Sequence, residues 1–262
     1  MVKIIEVEEI QKRIENNTAR NEDIISVINA VDAGELRVAE KIDGDWHVNT
    51  WVKTAIIKFF GISEIKDMTH GNFIFRDKIP LKNSFENVRL VPGGNSVRFG
   101  SYLANNVIMM PPSYVNIGAY VGKGTMIDSN VLVGSCAQIG ENVHLSAGVQ
   151  IGGVLEPDNA SPVIVEDGAF IGAGVIAVEG ILIRKNAVLA PGVVLTISTR
   201  VIETDKDGEI VREFTGEIPE NAIVIPGARQ RGKVFVQTPV IIGYKNQKTS
   251  EKLELSDFLR SF

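Results

Sequence analysis

One aspartate interrupts a series of small residues, and its position suggests chemistry. Asp128 follows an aliphatic residue of a repeating pattern, at a position that elsewhere is usually glycine, alanine or serine. A carboxylate there adds nothing to packing but can hold an amine or accept its proton. The alternative is a solvated aspartate that stabilises a turn. Glu156 and Glu179 are further usable carboxylates, although acids are common and each alone is a weak signal.

The remaining reactive side chains carry weaker signals. Cys136 is the one cysteine and has no neighbouring cation in the sequence to lower its pKa, so we interpret it as structural. Of the three histidines only His144 lies in the repeat, too few for a three-histidine zinc site. No Lys-Ser/Thr follows Gly152-Gly153, so this pair is not a phosphate loop and predicts a bare corner where a ligand can lie close. We expect no metal and no resident cofactor.

The elements that position these residues come from a six-residue repeat. An aliphatic residue returns every six positions from Val97 and gives ten hits without a miss. After residues 155–162, a loop with two prolines, the series resumes at Val165 two positions out of step and gives seven more. A period of six fits neither a helix nor a simple strand. It fits a flat coil with three short sides, one inward residue per side and a small residue at each corner.

The repeat is similar to that of the hexapeptide-repeat proteins. This resemblance implies a left-handed parallel β-helix with 18 residues in each coil, so that residues 18 apart stack on one another. Asp128 and Ser146 then share one column, and Met126 and His144 share the next. We expect Asp128, Ser146 and His144 on one edge, where a hydrogen-bonded surface imidazole is the plainer interpretation of His144.

The sequence on either side of the repeat predicts two smaller structural parts. Residues 1–95 read as a small α/β domain, whose predicted elements are helices over 4–16, 21–31 and 51–60, a hairpin around Asp43-Gly44 and a strand over 73–81. The β-helix is assigned to 96–203 with its loop at 155–162. Residues 204–262 are assigned to a hairpin and a C-terminal extension, with an apolar run over 234–242 and a terminal helix from about Ser256.

Composition excludes several classes of function. The 262-residue chain is 44% hydrophobic and has a net charge of −5, so it lacks the basic field that holds nucleic acid or an anionic membrane. No apolar run reaches the roughly 18 residues needed to span a bilayer. A single cysteine fits a reducing compartment. We therefore expect a soluble cytoplasmic protein.

A long block of the sequence resembles one enzyme family. Residues 110–157 contain PPSYVNIGAYVGKGTMID and VGSCAQIGENVHLSAGVQIGGVLEP, as in the tetrahydrodipicolinate N-succinyltransferases of bacterial lysine and diaminopimelate synthesis. Three shorter stretches agree with the same family, namely LRVAEKIDGDW at 36–46, VEDGAFIG at 165–172 and LTISTR at 195–200. The resemblance covers nearly the whole chain and is loosest at 1–20, 61–88 and 216–262.

The resemblance implies a reaction and an assembly. Succinyl-CoA would be the donor co-substrate and the ring-opened amino-keto-diacid from tetrahydrodipicolinate the acceptor. The enzyme would be a homotrimer with active sites between subunits. Arg89, in VRLVP, matches the family's substrate-binding arginine, and a guanidinium can bind a carboxylate through two hydrogen bonds. Asp128 matches the family's substrate-contacting aspartate and is expected to hold the acceptor amine and relay its proton.

The remaining site residues follow from the same resemblance and from the repeat. Glu179, which precedes Gly180, matches a family acid and is a candidate second catalytic carboxylate. Ser146, beside Asp128, is expected to contact the substrate. The backbone at Gly152, Gly153 and Ala173 is expected to meet the acyl-CoA and its developing oxyanion.

Two short stretches depart from the family pattern and keep alternatives open. Ser129-Asn130-Val131 stands where Thr-Trp-Ala is usual, while Gly174 and Ile176 replace an arginine and an acid. The Asp-Ser-Asn step resembles the N-acetyltransferase of the same pathway, so acetyl-CoA is the alternative donor, although LRVAEKIDGDW favours the succinyl branch. A sugar-nucleotide acyltransferase with His144 as base and an inactive hexapeptide-repeat scaffold are less favoured.

Overall fold

The N-terminal part is helical with two short hairpins. The computed structural model describes residues 4–69 and 71–245, with side chains from residue 7 onward. The elements are α1 (Ile4–Glu15), α2 (Asn21–Asp32), β1 (Ala39–Ile42), β2 (Asp45–Val48), α3 (Thr50–Ile62), β3 (Lys66–Asp67) and β4 (Arg76–Asp77). The three predicted helices and the hairpin at Asp43-Gly44 are confirmed. The continuous strand predicted over 73–81 is wrong, because within it only β4 forms a strand, with single bridge residues at Phe73 and Leu81.

The β-helix is built from seventeen two-residue strands. They are β5 (Arg89–Leu90), β6 (Ser96–Val97), β7 (Tyr102–Leu103), β8 (Ile108–Met109), β9 (Tyr114–Val115), β10 (Tyr120–Val121), β11 (Met126–Ile127), β12 (Leu132–Val133), β13 (Gln138–Ile139), β14 (His144–Leu145), β15 (Gln150–Ile151), β16 (Ile164–Val165), β17 (Phe170–Ile171), β18 (Ile176–Ala177), β19 (Leu182–Ile183), β20 (Val188–Leu189) and β21 (Val194–Leu195).

These strands form three parallel sheets, one on each side of a triangular coil. Sheet 1 contains β7, β10, β13, β16 and β19; sheet 2 contains β5, β8, β11, β14, β17 and β20; and sheet 3 contains β6, β9, β12, β15, β18 and β21. We call the edges corner 1–2, corner 2–3 and corner 3–1 after the sheets they join. The architecture is the predicted left-handed parallel β-helix with a small N-terminal domain.

The strand register confirms the 18-residue coil and explains the break in the series. Met126 pairs with His144, and 144 − 126 is 18. Across the loop, His144 pairs with Phe170, and 170 − 144 is 26. The difference of eight is the length of the loop 155–162. Eight residues are one six-residue repeat plus two, which is why the aliphatic series resumes two positions out of step.

Packing between coils depends on buried aliphatic residues and bare corners. The inward residue of each strand is buried against the coils on either side, and these residues form one continuous core. A residue in the left-handed backbone region turns the chain at most corners, as at Asn130, Asn142 and Gly148. Gly122 shows how closely coils approach, because a Cβ there would lie 2.5 Å from the Gly140 carbonyl oxygen. Glycine is therefore required at that corner.

The C-terminal part interrupts the β-helix and then completes it. Its strands are β22 (Arg200–Thr204), β23 (Ile210–Thr215), β24 (Glu217–Ile218), β25 (Ala222–Ile225), β26 (Ala228–Arg231), β27 (Val234–Gln237) and β28 (Val240–Tyr244). β22 and β23 form the predicted hairpin, whereas β24 and β25 return to parallel pairing on β19 and β20. Parallel pairing in the β-helix thus runs from Arg89 to Val224, beyond the predicted limits of 96 and 203. The terminal helix predicted from Ser256 lies outside the described residues.

The N-terminal domain covers the outer surface of sheet 1. The Arg37 guanidinium lies 3.8 Å from the centre of the Tyr120 ring, and its Nε donates to Gln138 Oε1 at 3.0 Å. Lys41 Nζ and Trp46 Nε1 both donate to Glu166 Oε1, at 2.7 and 2.8 Å. The outward residues of sheets 2 and 3 are half-buried or exposed in the single chain. Among the helices of the described residues, none is long and apolar enough to cross a membrane.

Candidate active site

The backbone fixes Asp128 at corner 2–3, directly after β11. Its N–H donates to the Leu145 carbonyl at 2.9 Å, and its own carbonyl accepts from Ser113 Oγ at 2.8 Å. One carboxylate oxygen, Oδ1, accepts from the Ser129 N–H at 2.7 Å. The described residues give Oδ2 no partner. The half-buried side chain thus has a fixed base and one oxygen available for a ligand.

The column predicted from the repeat is present at this corner. Ser146 stands one coil beyond Asp128, and its N–H donates to the Ile171 carbonyl at 2.9 Å. Met126 and His144 are partners on the adjacent strands β11 and β14. The His144 ring stacks on Phe170 with ring centres 4.9 Å apart and planes 5° apart. Asp128, Ser146 and His144 therefore share one edge, where the His144 ring has a packing role.

Arg89 lies on the same sheet as Asp128. It is an exposed residue of β5, which pairs with β8, and β8 pairs with β11. Two strand spacings separate β5 from β11, or about 10 Å. A guanidinium and a carboxylate at that separation can hold the two ends of one molecule, a carboxylate at Arg89 and an amine at Asp128.

Three of the other predicted residues lie at a different edge. Gly152 and Gly153 follow β15 at corner 3–1, and Glu179 stands at the same corner after β18. Glu179 is exposed and has a φ of 60°, unusual for a glutamate. Sheet 3 lies between this corner and Asp128, and six residues of extended chain span about 20 Å. One chain therefore does not bring Glu179 and Asp128 together, and a site that uses both takes them from two chains.

Backbone donors differ in their availability. The N–H of Gly152 is used, because it donates to the Ala177 carbonyl at 2.8 Å. The described residues provide no acceptor for the N–H groups of Gly153, Ala173 or Ala147. Ala173 stands two coils from Asp128 and Ala147 only one, which is about 5 Å. Sequence reasoning missed Ala147, although its place beside Ser146 in the repeat could have identified it.

A buried hydroxyl that sequence reasoning also missed supports the Asp128 corner. Ser113 is buried, and its Oγ accepts from the Val131 N–H at 3.0 Å while donating to the Asp128 carbonyl. Thr125 makes the equivalent pair of bonds, to Val143 and Gly140, two sides further along. The repeat showed only small or β-branched residues here. A hydroxyl among them signals a bridge between coils.

Cys136 is structural, and a lysine fixes the neighbouring loop. Burial raises the pKa of the Cys136 thiol to about 12, although the charge of Lys53 opposes the rise. Lys53 comes from α3 and is the nearby cation that the sequence alone did not show. Its buried Nζ donates to the carbonyls of Pro157 and Ala160 at 3.0 and 2.7 Å. The N-terminal domain therefore holds the loop 155–162 beside corner 3–1. No group of three His, Cys, Asp or Glu side chains in the described ranges could hold a metal ion.

Family models and full-length relatives match this chain. Residues 4–62 match the family described as "Tetrahydrodipicolinate N-succinyltransferase N-terminal". Residues 118–153 match "Bacterial transferase hexapeptide (six repeats)", and residues 162–196 match "Hexapeptide repeat of succinyl-transferase". The first repeat match ends just before the inserted loop 155–162, and the second begins at the last residue of that loop.

The relatives share one name, 2,3,4,5-tetrahydropyridine-2,6-dicarboxylate N-succinyltransferase. The protein from Idiomarina loihiensis is 42% identical over 97% of this chain and 94% of its own length. Those from Acinetobacter baylyi and Bartonella bacilliformis are 44% and 45% identical, each over 89% of this chain and 87% of the relative. With this identity over nearly its whole length, the chain belongs to the tetrahydrodipicolinate N-succinyltransferase family of hexapeptide-repeat transferases.

Proposed function

We propose that this enzyme transfers the succinyl group of succinyl-CoA to the amine of ring-opened tetrahydrodipicolinate, a step of lysine and diaminopimelate synthesis. The observation that carries the proposal is the placement of Arg89 on β5 and of Asp128 at the end of β11, two strands of one sheet that lie about 10 Å apart. An acceptor with a carboxylate at one end and an amine at the other fits that pair. The name that the relatives share identifies the acyl group as succinyl and the acceptor as a tetrahydropyridine dicarboxylate.

The proposed reaction is direct attack on the thioester. Asp128 Oδ2 holds the acceptor amine and takes its proton as nitrogen attacks the thioester carbon. The N–C bond forms, the C–S bond breaks, and the CoA thiolate leaves and is protonated. The described residues offer no activated nucleophile near Asp128, which favours a single transfer without an acyl-enzyme. The reaction needs no resident cofactor or metal, because the thioester itself is the activated group.

A backbone N–H would stabilise the negative charge on the thioester oxygen. Ala147 N–H is the best placed donor of the same chain, one coil from Asp128. Gly153 and Ala173, with Gly152, would then contact the rest of the acyl-CoA. Glu179 would enter the site from a neighbouring chain as the second carboxylate.

A homotrimer would complete the site. The outward residues of sheets 2 and 3 are mostly apolar and only half-buried in the single chain, among them Met126, Phe170, Val188, Leu132 and Val194. In a cyclic trimer each interface is heterologous, so one surface of a chain, such as that of sheet 2, would pack against a different surface of the next chain. We propose that the active sites lie in these grooves and that the trimer works in the cytoplasm.

The donor is tested by measuring CoA thiol release with the amino-keto-diacid acceptor. We expect kcat/KM for succinyl-CoA to exceed that for acetyl-CoA by at least about 10-fold, because succinyl-CoA has a terminal carboxylate that can form a charged hydrogen bond and acetyl-CoA does not. A higher value for acetyl-CoA would instead assign the chain to acetyl transfer. If neither donor releases thiol, the chain is either an inactive hexapeptide-repeat scaffold or an enzyme that uses a different acceptor.

A histidine base is the signature of a sugar-nucleotide acyltransferase, and the stacked ring of His144 argues against that role. Because Asp128 is the proposed proton acceptor, His144→Ala should retain most of the thiol release. Loss of activity in this variant as complete as in Asp128→Asn would assign the base to His144.

A further inference from the structure

A cleft on sheet 3 adjoins the Asp128 corner and has no assigned role. Its volume is about 300 Å³, within the range of small-molecule sites. Its walls come from the N-terminal coils and from corner 2–3, and the polar side chains that line it are Ser96, Ser113, Tyr114, Asn130 and Gln150. None of the residues that line it is charged. Asn130, two residues after Asp128, forms the wall nearest the proposed catalytic carboxylate.

Most of the polar groups in this cleft are already used by the protein. Ser113 Oγ is bonded to the Asp128 carbonyl and the Val131 N–H. Tyr114 OH donates to Asn116 Oδ1 at 3.2 Å. Gln150 Nε2 donates to backbone carbonyls of corner 2–3, including Gly148 at 3.2 Å.

Two side chains remain available to a ligand. Within the described ranges, the amide of Asn130 and the hydroxyl of Ser96 make no hydrogen bond. Asn130 is exposed and has a φ of 60°, a backbone conformation that asparagine adopts more readily than most residues. Asn130 therefore lines the cleft from a fixed corner, with its amide available to a ligand.

The position of the cleft indicates which substrate reaches it. Arg89 lies on sheet 2, so the proposed acceptor approaches Asp128 from that side. The cleft lies on sheet 3, on the other side of Asp128. Gln150 lines it and belongs to β15, the strand that leads to Gly152 and Gly153, where the acyl-CoA is proposed to bind. The acyl group of the donor would thus enter the cleft as its carbonyl carbon reaches the amine.

We propose that Asn130, with Ser96, binds the terminal carboxylate of the succinyl donor and so determines donor specificity. Neutral N–H and O–H donors can hold a carboxylate without the desolvation cost of a buried cation. The four-carbon acyl group is small enough for the cleft. This inference rests on the proposed function, since it assigns one end of the same donor.

The test compares two four-carbon donors that differ in charge. Kinetics are measured for succinyl-CoA, and butyryl-CoA is measured as a substrate and as a competitive inhibitor, so that its affinity is obtained even without turnover. Asn130→Asp keeps the shape and the backbone preference but replaces the amide donor with a negative charge. We expect kcat/KM for succinyl-CoA to fall by at least about 10-fold, the loss of one charged hydrogen bond, while butyryl-CoA affinity changes little.

Further variants control for folding and for general charge effects. Asn130→Gly removes the amide and is compatible with a positive φ, so it should lower succinyl-CoA kcat/KM with the same selectivity. Asn142→Asp is the matched control, since Asn142 is also exposed, has a φ of 51° and lies at corner 1–2. It should leave both donors unchanged.

The outcomes separate this inference from the proposed function. Equal losses for both CoA esters in Asn130→Asp, or no loss for either, would overturn the role of Asn130 while the wild-type enzyme remained a succinyltransferase. A wild-type enzyme that releases no CoA from succinyl-CoA would overturn the proposed function itself.

Discussion

Asp128 and Ser146 occupy the same corner of consecutive coils, and the Asp128 N–H donates to the carbonyl of Leu145, the residue before Ser146. The relationship fixes where a carboxylate stands relative to the next coil, at a spacing of about 5 Å. Because Ser113 also bonds the Asp128 carbonyl, the corner is held from both sides. A rigid corner suits a group that must meet an amine and a thioester in one geometry.

Asp128→Asn should therefore remove catalysis without removing structure. The amide still accepts the Ser129 N–H but cannot take a proton, so we expect kcat to fall by about 10²-fold or more. The measurement is steady-state thiol release, with light scattering to confirm that the assembly matches that of the wild type. A variant with wild-type turnover would show that Asp128 is only a turn residue.

Mixing two inactive variants tests whether a site spans two chains. Asp128→Asn and Glu179→Gln are co-expressed with different tags, and the hybrid oligomers are purified. If each site pairs Asp128 of one chain with Glu179 of the next, about a third of the interfaces in the purified hybrid trimers keep both residues. Activity near that fraction of wild type is expected. Hybrids no more active than their parents would contradict a shared site.

The core of the fold could be predicted because its repeat is strict, and the ends could not because they break it. The inward residues keep a spacing of six from Val97 to Ile151, and the register confirms the columns that this spacing predicts. Leu90 pairs with Met109, 19 residues away rather than 18, so the first strand falls outside the series. At the other end the hairpin of β22 and β23 separates Ile183 from its partner Ile218.

The candidate site could be predicted only for residues that the 18-residue repeat stacks on one another. Asp128 and Ser146 are 18 residues apart, so their stacking followed from the repeat. Glu179 matched a family motif, but motif matches do not show which edge a residue occupies, and it lies a sheet away. Ser113, Ala147 and the Lys53 contact depend on hydroxyl, backbone and interdomain geometry, which residue type and spacing do not record.

Cys136 should resist alkylation in the folded protein. Burial raises the pKa of its thiol to about 12, so little thiolate exists near pH 8 and the sulfur is also inaccessible. Mass spectrometry after iodoacetamide treatment should find the cysteine unmodified in native buffer and fully modified in guanidinium chloride. Rapid native modification would contradict both the burial and the structural role.

Lys53→Met should destabilise the protein. The variant keeps the approximate length of the side chain but leaves the part-buried carbonyls of Pro157 and Ala160 without their donor, which costs about 1–3 kcal/mol in the free energy of unfolding. Denaturant unfolding measures the loss, and limited proteolysis should cut more readily within 155–162. Lys58→Met on the same helix is the control. Among the described residues Lys58 bonds only the exposed Asn17 side chain, so its loss should change stability little. An unchanged or higher stability in Lys53→Met would mean that the carbonyls find other donors.

Glu166 should make the stability of the protein depend on acid pH. Burial alone would raise the pKa of Glu166, but hydrogen bonds from Lys41, Trp46 and the Lys185 N–H outweigh it and lower the pKa below its ordinary value of 4.5. A carboxyl with a lower pKa in the folded state stabilises that state above the unfolded pKa, and this contribution is lost as pH falls through the folded pKa.

Glu166→Gln should therefore cost about 1–3 kcal/mol in the free energy of unfolding near pH 7, and the difference from wild type should shrink as pH falls from about 4.5 towards 3. Urea unfolding at several pH values gives the comparison. Glu217→Gln, which breaks the more exposed ion pair with Arg184 on the same sheet, is the matched control and should change stability by less than about 1 kcal/mol at any pH. A pH-independent difference for Glu166→Gln would show that packing, rather than the charge of Glu166, holds the hairpin of β1 and β2 against sheet 1.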